Sequence, residues 1–93
     1  MDTSISNQVT FKVKSSSNVP SCALALSKLI EEGNTVEMTA IGAAAVNQAV
    51  KVAARARAFV AQSGKDLLIR PGMRTITADG REISLTVFNF KVE

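Results

Sequence analysis

Residues 8–13, QVTFKV, set Val9, Phe11 and Val13 against polar neighbours, the period-two pattern of a strand buried on one face. The run KSSSN breaks that alternation. Asn18 then offers an N-cap, with Pro20 in the first turn, where a missing N–H costs no hydrogen bond. Cys22, Ala25, Leu26, Leu29 and Ile30 recur at helical spacing until Gly33 and Asn34 close the helix. Thr35–Ile41 is rich in strand formers. Gly42 opens a longer helix reaching about Gln62, in which Asn47, Gln48, Lys51, Arg55 and Gln62 share a polar stripe. Val46, Ala49, Val50, Ala53, Ala56 and Val60 lie opposite and are expected to meet the sheet. After the turn QSGKD, LLIR begins a third strand that Pro71 and Gly72 are expected to interrupt or bend. MRTIT resumes it, and Asp79-Gly80 predicts a two-residue hairpin turn. The last strand, residues 82–92, places Ile83, Leu85 and Val87 on one parity and Phe88, Phe90 and Val92 on the other, which predicts a bulge or a change of environment near Val87.

The order is therefore β-α-β-α-β-β, an α+β arrangement without internal repeat. Ninety-three residues support one small core, so residues 9–93 are read as a single domain behind a flexible N-terminal tail of residues 1–8. An apolar fraction of 46% excludes a disordered chain, and no run reaches the roughly 18 apolar residues of a membrane span. The opening MDTSISNQ lacks the charged-then-apolar order of a secretion signal, and the lone Cys22 makes a reducing cytoplasm the expected location.

Charge changes the picture. The net charge is only +3, but residues 42–81 hold seven basic residues (Lys51, Arg55, Arg57, Lys65, Arg70, Arg74, Arg81) against Asp66 and Asp79. The rest of the chain holds four basic and six acidic residues. A basic half points to phosphate-bearing partners, or to a solvated surface that favours arginine. If the first two strands are parallel neighbours, both strand-to-helix turns emerge at one sheet edge. That edge gathers Lys14, Ser15, Ser16, Ser17 and Asn18 beside Gly42, Ala43 and Ala44. Free N–H groups at a helix start attract anions, although a serine-rich turn also serves as plain capping. Arg70, Arg74 and Arg81 flank or occupy the hairpin, either to grip a nucleic-acid backbone or to keep an edge from aggregating. Arg57 falls away from the polar stripe, among Val50, Ala54 and Ala61, and this strip is the expected surface for a homodimer or higher homo-oligomer.

Catalysis is not expected. The chain has no His, Tyr or Trp, and neither Asp66 nor Asp79 has a partner that would raise its pKa for acid–base work. No residues have metal-ligand spacing, so no metal, cofactor or small-molecule substrate is expected.

The segments KSSSNVPSCALALSKLIEEG and AIGAAAVNQAVKVAARARAFVAQSGKDL, with the closing hairpin, resemble the stage V sporulation protein S family over Phe11 to Val92. The resemblance is most specific in AIGA-A-NQAVK followed by ARAFVAQSG-DL. It implies an Alba-like fold: a two-layer sandwich with two helices on one face of a four-stranded mixed sheet in order 1-2-4-3. It also implies nucleic-acid (DNA or RNA) binding, mainly through backbone contacts, by a regulatory protein of bacterial sporulation or development. Alba-like proteins carry several basic residues in the first turn, where this chain has only Lys14, and an arginine after the second strand, where it has Gly42, Ala43 and Ala44. The residues expected to meet nucleic acid are the two turns with Asn47, Lys51, Arg55, Arg74 and Arg81. The other class left open is an oligomeric adaptor module that binds protein and not nucleic acid.

Overall fold

The computed structural model describes residues 8–93. Its elements are β1 (Gln8–Val13), α1 (Val19–Glu31), β2 (Thr35–Ala40), α2 (Ala43–Ala61), β3 (Leu67–Ala78) and β4 (Arg81–Val92). The expected tail lies outside the described residues except for Gln8, which opens β1.

β1 and β2 pair in parallel, from Gln8 opposite Thr35 to Val13 opposite Ala40. β4 lies antiparallel on the other side of β2, and β3 lies outside β4, giving the order β1-β2-β4-β3. One parity of each strand faces the helices. Val13, Val36, Met38, Ala40, Leu67 and Phe88 form a single core with Ala23, Leu26 and Ile30 of α1 and Ala45, Ala49, Val52, Ala53, Ala56 and Val60 of α2. Among the described residues, no helix covers the other sheet face.

Both helices are rotated from their expected settings. In α1 the buried residues are Ala23, Leu26, Ser27 and Ile30, while Ala25 is exposed and Cys22 only half-buried. Ser27 can turn inward because its hydroxyl donates to the Leu24 carbonyl at 2.9 Å, so no polar group is stranded. In α2 the buried arc takes in Ala45 and Val52 and leaves Val50 53% exposed. The helix packs against α1 as well as the sheet, which swings its apolar arc toward α1.

Pro71 and Gly72 do not interrupt β3. Pairing with β4 is unbroken from Leu67–Val92 to Ala78–Arg81, with Pro71 opposite Phe88. β3 is an edge strand, where a residue without an N–H is tolerated because that side of the strand has no partner to bond. That unbroken register also excludes a bulge at Val87, and the change of environment is what occurs. Phe88 joins the helix-side core, whereas Leu85 and Val87 are buried on the open face.

Only Thr86–Asn89 of β4 pair with β2, so residues 74–85 continue past the end of β2 as a two-stranded arm. Its tip is the predicted tight turn: Asp79 and Gly80 both have positive φ, 53° and 74°, as a type I′ hairpin requires.

Met38 is fully buried between β1 and β4, opposite Phe11 and Phe88. Met38→Ala should therefore lower unfolding free energy by about 2–5 kcal/mol, read as a lower urea midpoint with unchanged slope.

Candidate nucleic-acid interface

Parallel pairing of β1 and β2 brings both strand-to-helix turns to one rim. A cleft of about 420 Å³ opens there, lined by Lys12, Val13, Lys14 and Ser15 from the end of β1 and the first turn and by Thr39 through Ala45 from the end of β2, the second turn and the start of α2. The first turn is closed by its own hydrogen bonds. The Lys14 N–H donates to Ser17 Oγ at 2.8 Å and the Ser17 N–H to the Lys14 carbonyl at 3.0 Å. Asn18 Oδ1 caps α1 by accepting the Ser21 N–H at 2.9 Å. Ser15 and Ser16 stay exposed.

The second turn is built differently. Gly42 has φ 87° and ψ 158°, a region open essentially to glycine alone, and this lets the chain pass from strand to helix in two residues, Ile41 and Gly42. α2 has no side-chain cap, and its first bond runs from the Val46 N–H to the Gly42 carbonyl. The amides of Ala43, Ala44 and Ala45 lie outside the helix's own bonding. Methyl side chains leave the approach to them open, and no acidic residue occupies the first turn.

A second depression, about 480 Å³, lies between the helices and is lined by Val19, Pro20, Gln48, Lys51, Ala54 and Arg55. Gln48 Nε2 donates to the Ser17 carbonyl at 3.1 Å and ties this groove to the first turn. Lys12, Lys14, Lys51 and Arg55 line the two depressions between them, and among the described residues no carboxylate lines either. Asn47 is exposed nearby on α2 but lines neither.

The opposite end mixes both charges: Glu31 and Glu32 close α1 with Lys28 in its last turn, Lys65 precedes Asp66, and Asp66 and Glu93 pair through their backbones at 2.8 and 2.9 Å. Asp66 Oδ1 accepts both Arg57 Nε and the Leu67 N–H at 2.8 Å. Arg57, expected in an oligomer strip with Val50, Ala54 and Ala61, is thus engaged within its own chain; all four are exposed. Ala54 also lines the interhelical groove.

The arm projects from the same rim, yet it is not a cationic ribbon. Arg81 at its tip has Asp79 and Glu82 beside it in the chain, and the Arg74 fork is closed on Glu37 of β2, Nη1 to Oε2 at 2.9 Å and Nη2 to Oε1 at 2.7 Å. Those bonds hold the Glu37 carboxyl below its ordinary pKa. Arg70 sits lower on β3, opposite Asn89. Sequence reasoning missed Lys12 and Glu37. Lys12 was legible as the last polar residue of the first strand, but nothing local to Glu37 marks its partner.

The sheet order and helix placement define an Alba-type α+β fold. The solved structure "Alba from Thermoplasma volcanium" is similar to this chain with a TM-score of 0.57 and 16% identity, covering 90% of this chain and 98% of that one, which shows the shared fold. The sequence model for Stage V sporulation protein S (SpoVS) matches residues 9–93, and the chain belongs to the stage V sporulation protein S family.

Hydrogen bonds from Arg57 and then from the Leu67 amide hold the Asp66 carboxyl below the usual aspartate range. A carboxylate with a lowered folded pKa contributes stability above its unfolded value and loses it as pH falls through the folded one. Asp66→Asn should therefore melt slightly below the wild type at pH ~7, and the gap should close by pH ~2. Thermal melts at the two pH values check this.

Proposed function

We propose that this member of a sporulation-protein family is a non-enzymatic, cytoplasmic regulator that binds DNA or RNA through the phosphate backbone. One observation carries the reading: the rim cleft and the interhelical groove, linked through the Gln48–Ser17 hydrogen bond, carry four basic side chains and uncapped helix-start amides, and among the described residues no carboxylate lines either. The Alba-type fold of the solved neighbour accords with it. Aromatic stacking has no part, because Phe11, Phe59 and Phe90 are half-buried and Phe88 is buried. Lys14, Lys51 and Arg55 make the principal phosphate contacts, with Ser15, Ser16, Gly42, Ala43 and Asn47 around them; Ser17 and Asn18 shape the turn, and Arg81 contacts backbone from the arm tip. No cofactor takes part.

The protein acts as a homodimer or higher homo-oligomer through the flank of α2 that bears Val50, Ala54, Arg57 and Ala61. Val50 is a β-branched side chain more than half exposed, which supports a covering partner. The same flank, with exposed Leu24 and Met73, would serve an adaptor that ignores nucleic acid.

Anisotropy titrations with duplex DNA, single-stranded DNA and structured RNA should show affinity falling about tenfold or more between roughly 50 and 200 mM salt. Replacing Lys51 and Arg55 together by alanine should weaken binding to all sequences and lower the salt slope by about two. A salt-independent signal would remove this reading, and a stable oligomer indifferent to all three probes would establish the adaptor instead.

Val50→Glu should lower the mass measured by light scattering to that of the monomer, since a carboxylate would be buried without a partner at the interface. An unchanged mass would move the interface elsewhere. Val50 separates the two roles better than Ala54, which also borders the basic groove.

A further inference from the structure

Arg74 stands on the open face of the sheet, opposite Leu85 of β4. Glu37 lies on the same face of β2, opposite Asn89, four residues further along β4. The side chains meet diagonally across β4 at the level of Val87, which is flanked by Gly72 and Thr39. Gly72 has no side chain to obstruct that path. The pairing is two-pronged, at 2.9 and 2.7 Å, so both carboxylate oxygens and both terminal guanidinium nitrogens are used. The partners are not equally anchored: the Glu37 side chain is 13% exposed and that of Arg74 is 48%. The arginine can leave toward solvent; the glutamate stays in the sheet. Lys12 and Thr39, which line the rim cleft, occupy the next residue pair along the same face, so the pair borders the candidate interface.

We propose that Glu37 is a built-in counter-ion that withholds Arg74 from phosphate, so that a polyanion must displace the carboxylate before it can use this arginine. The inference rests on the polyanion-binding reading above and adds a restraint to it. A phosphodiester presents oxygens to guanidinium in the same forked geometry as a carboxylate, and either anion therefore satisfies Arg74 but not both. The exchange moves no backbone in the core. It frees the long side chain of a residue at the base of the arm and leaves Glu37 in place. Binding is weakened, because each new phosphate contact at Arg74 is offset by one internal ion pair lost. Discrimination is sharpened, because only a ligand dense in charge, already held at the cleft and groove, competes effectively.

The test is a double-mutant cycle on the full chain, with a fluorescent duplex DNA of about 30 base pairs as probe, across roughly 50–200 mM salt. Glu37→Gln should bind about three- to tenfold more tightly than the wild type, with a salt slope steeper by about one, the increment of one added phosphate contact. Arg74→Ala in the wild-type background should change affinity little; in the Glu37→Gln background it should abolish the gain. That coupling separates release of Arg74 from the general effect of removing one negative charge, which would persist without Arg74. Melting curves confirm that each variant is folded, and Glu37→Thr, a strand former without a carboxylate, makes the same test should Glu37→Gln not fold. Equal effects of Arg74→Ala in both backgrounds, or no gain from losing the carboxylate, overturn the counter-ion while leaving polyanion binding intact. Salt-independent behaviour of wild type and Glu37→Gln alike overturns both.

Discussion

Parallel neighbouring strands cannot be joined by a tight turn: the chain must leave β1 at one end, return along α1, and enter β2 from the other end. Because β1 and β2 are matched residue for residue, Val13 and Ala40 finish side by side, and whatever follows each strand shares one edge. The turn to α1 and the turn to α2 therefore meet without any contact designed to bring them together. The antiparallel placement of β4 on β2 then sends the hairpin out from that same edge. Helix starts with their unpaired amides therefore fall at one end, and the C-terminus of α1 with the chain terminus at the other.

The two turns at the rim solve one problem differently. The first spends its polar side chains on itself, with Ser17 and Asn18 bonded to nearby amides. The second has glycine and alanines, which leave the α2 amides open. A serine-rich segment that looks like a ligand cradle is in good part a closed turn, and an alanine-rich segment that looks featureless is the more accessible one.

Period-two and helical patterns revealed the elements, because burial of one face is a local property of sequence; the Asp79-Gly80 turn was equally legible because its backbone excludes most alternatives. What failed were inferences in which the environment decides. Pro71 marks a break only when a strand has neighbours on both sides, and β3 has one. Ser27 was passed over for the core because its local acceptor, the Leu24 carbonyl, becomes available only once the helix forms. Val50 was set against the sheet because the second wall of the core, α1, is invisible to the periodicity of α2 alone. The Arg74–Glu37 pair spans 37 positions and depends on sheet order, so the hairpin read as more basic than it is.

β3 is a long, open border of the sheet, twelve residues that a foreign strand could in principle extend. Pro71 near its middle can donate no amide bond, and the cation of Arg70 stands beside it on the open face. A strand from a second copy that approached this border would meet a gap in the donor row and a charge, and both disfavour edge-to-edge pairing of sheets.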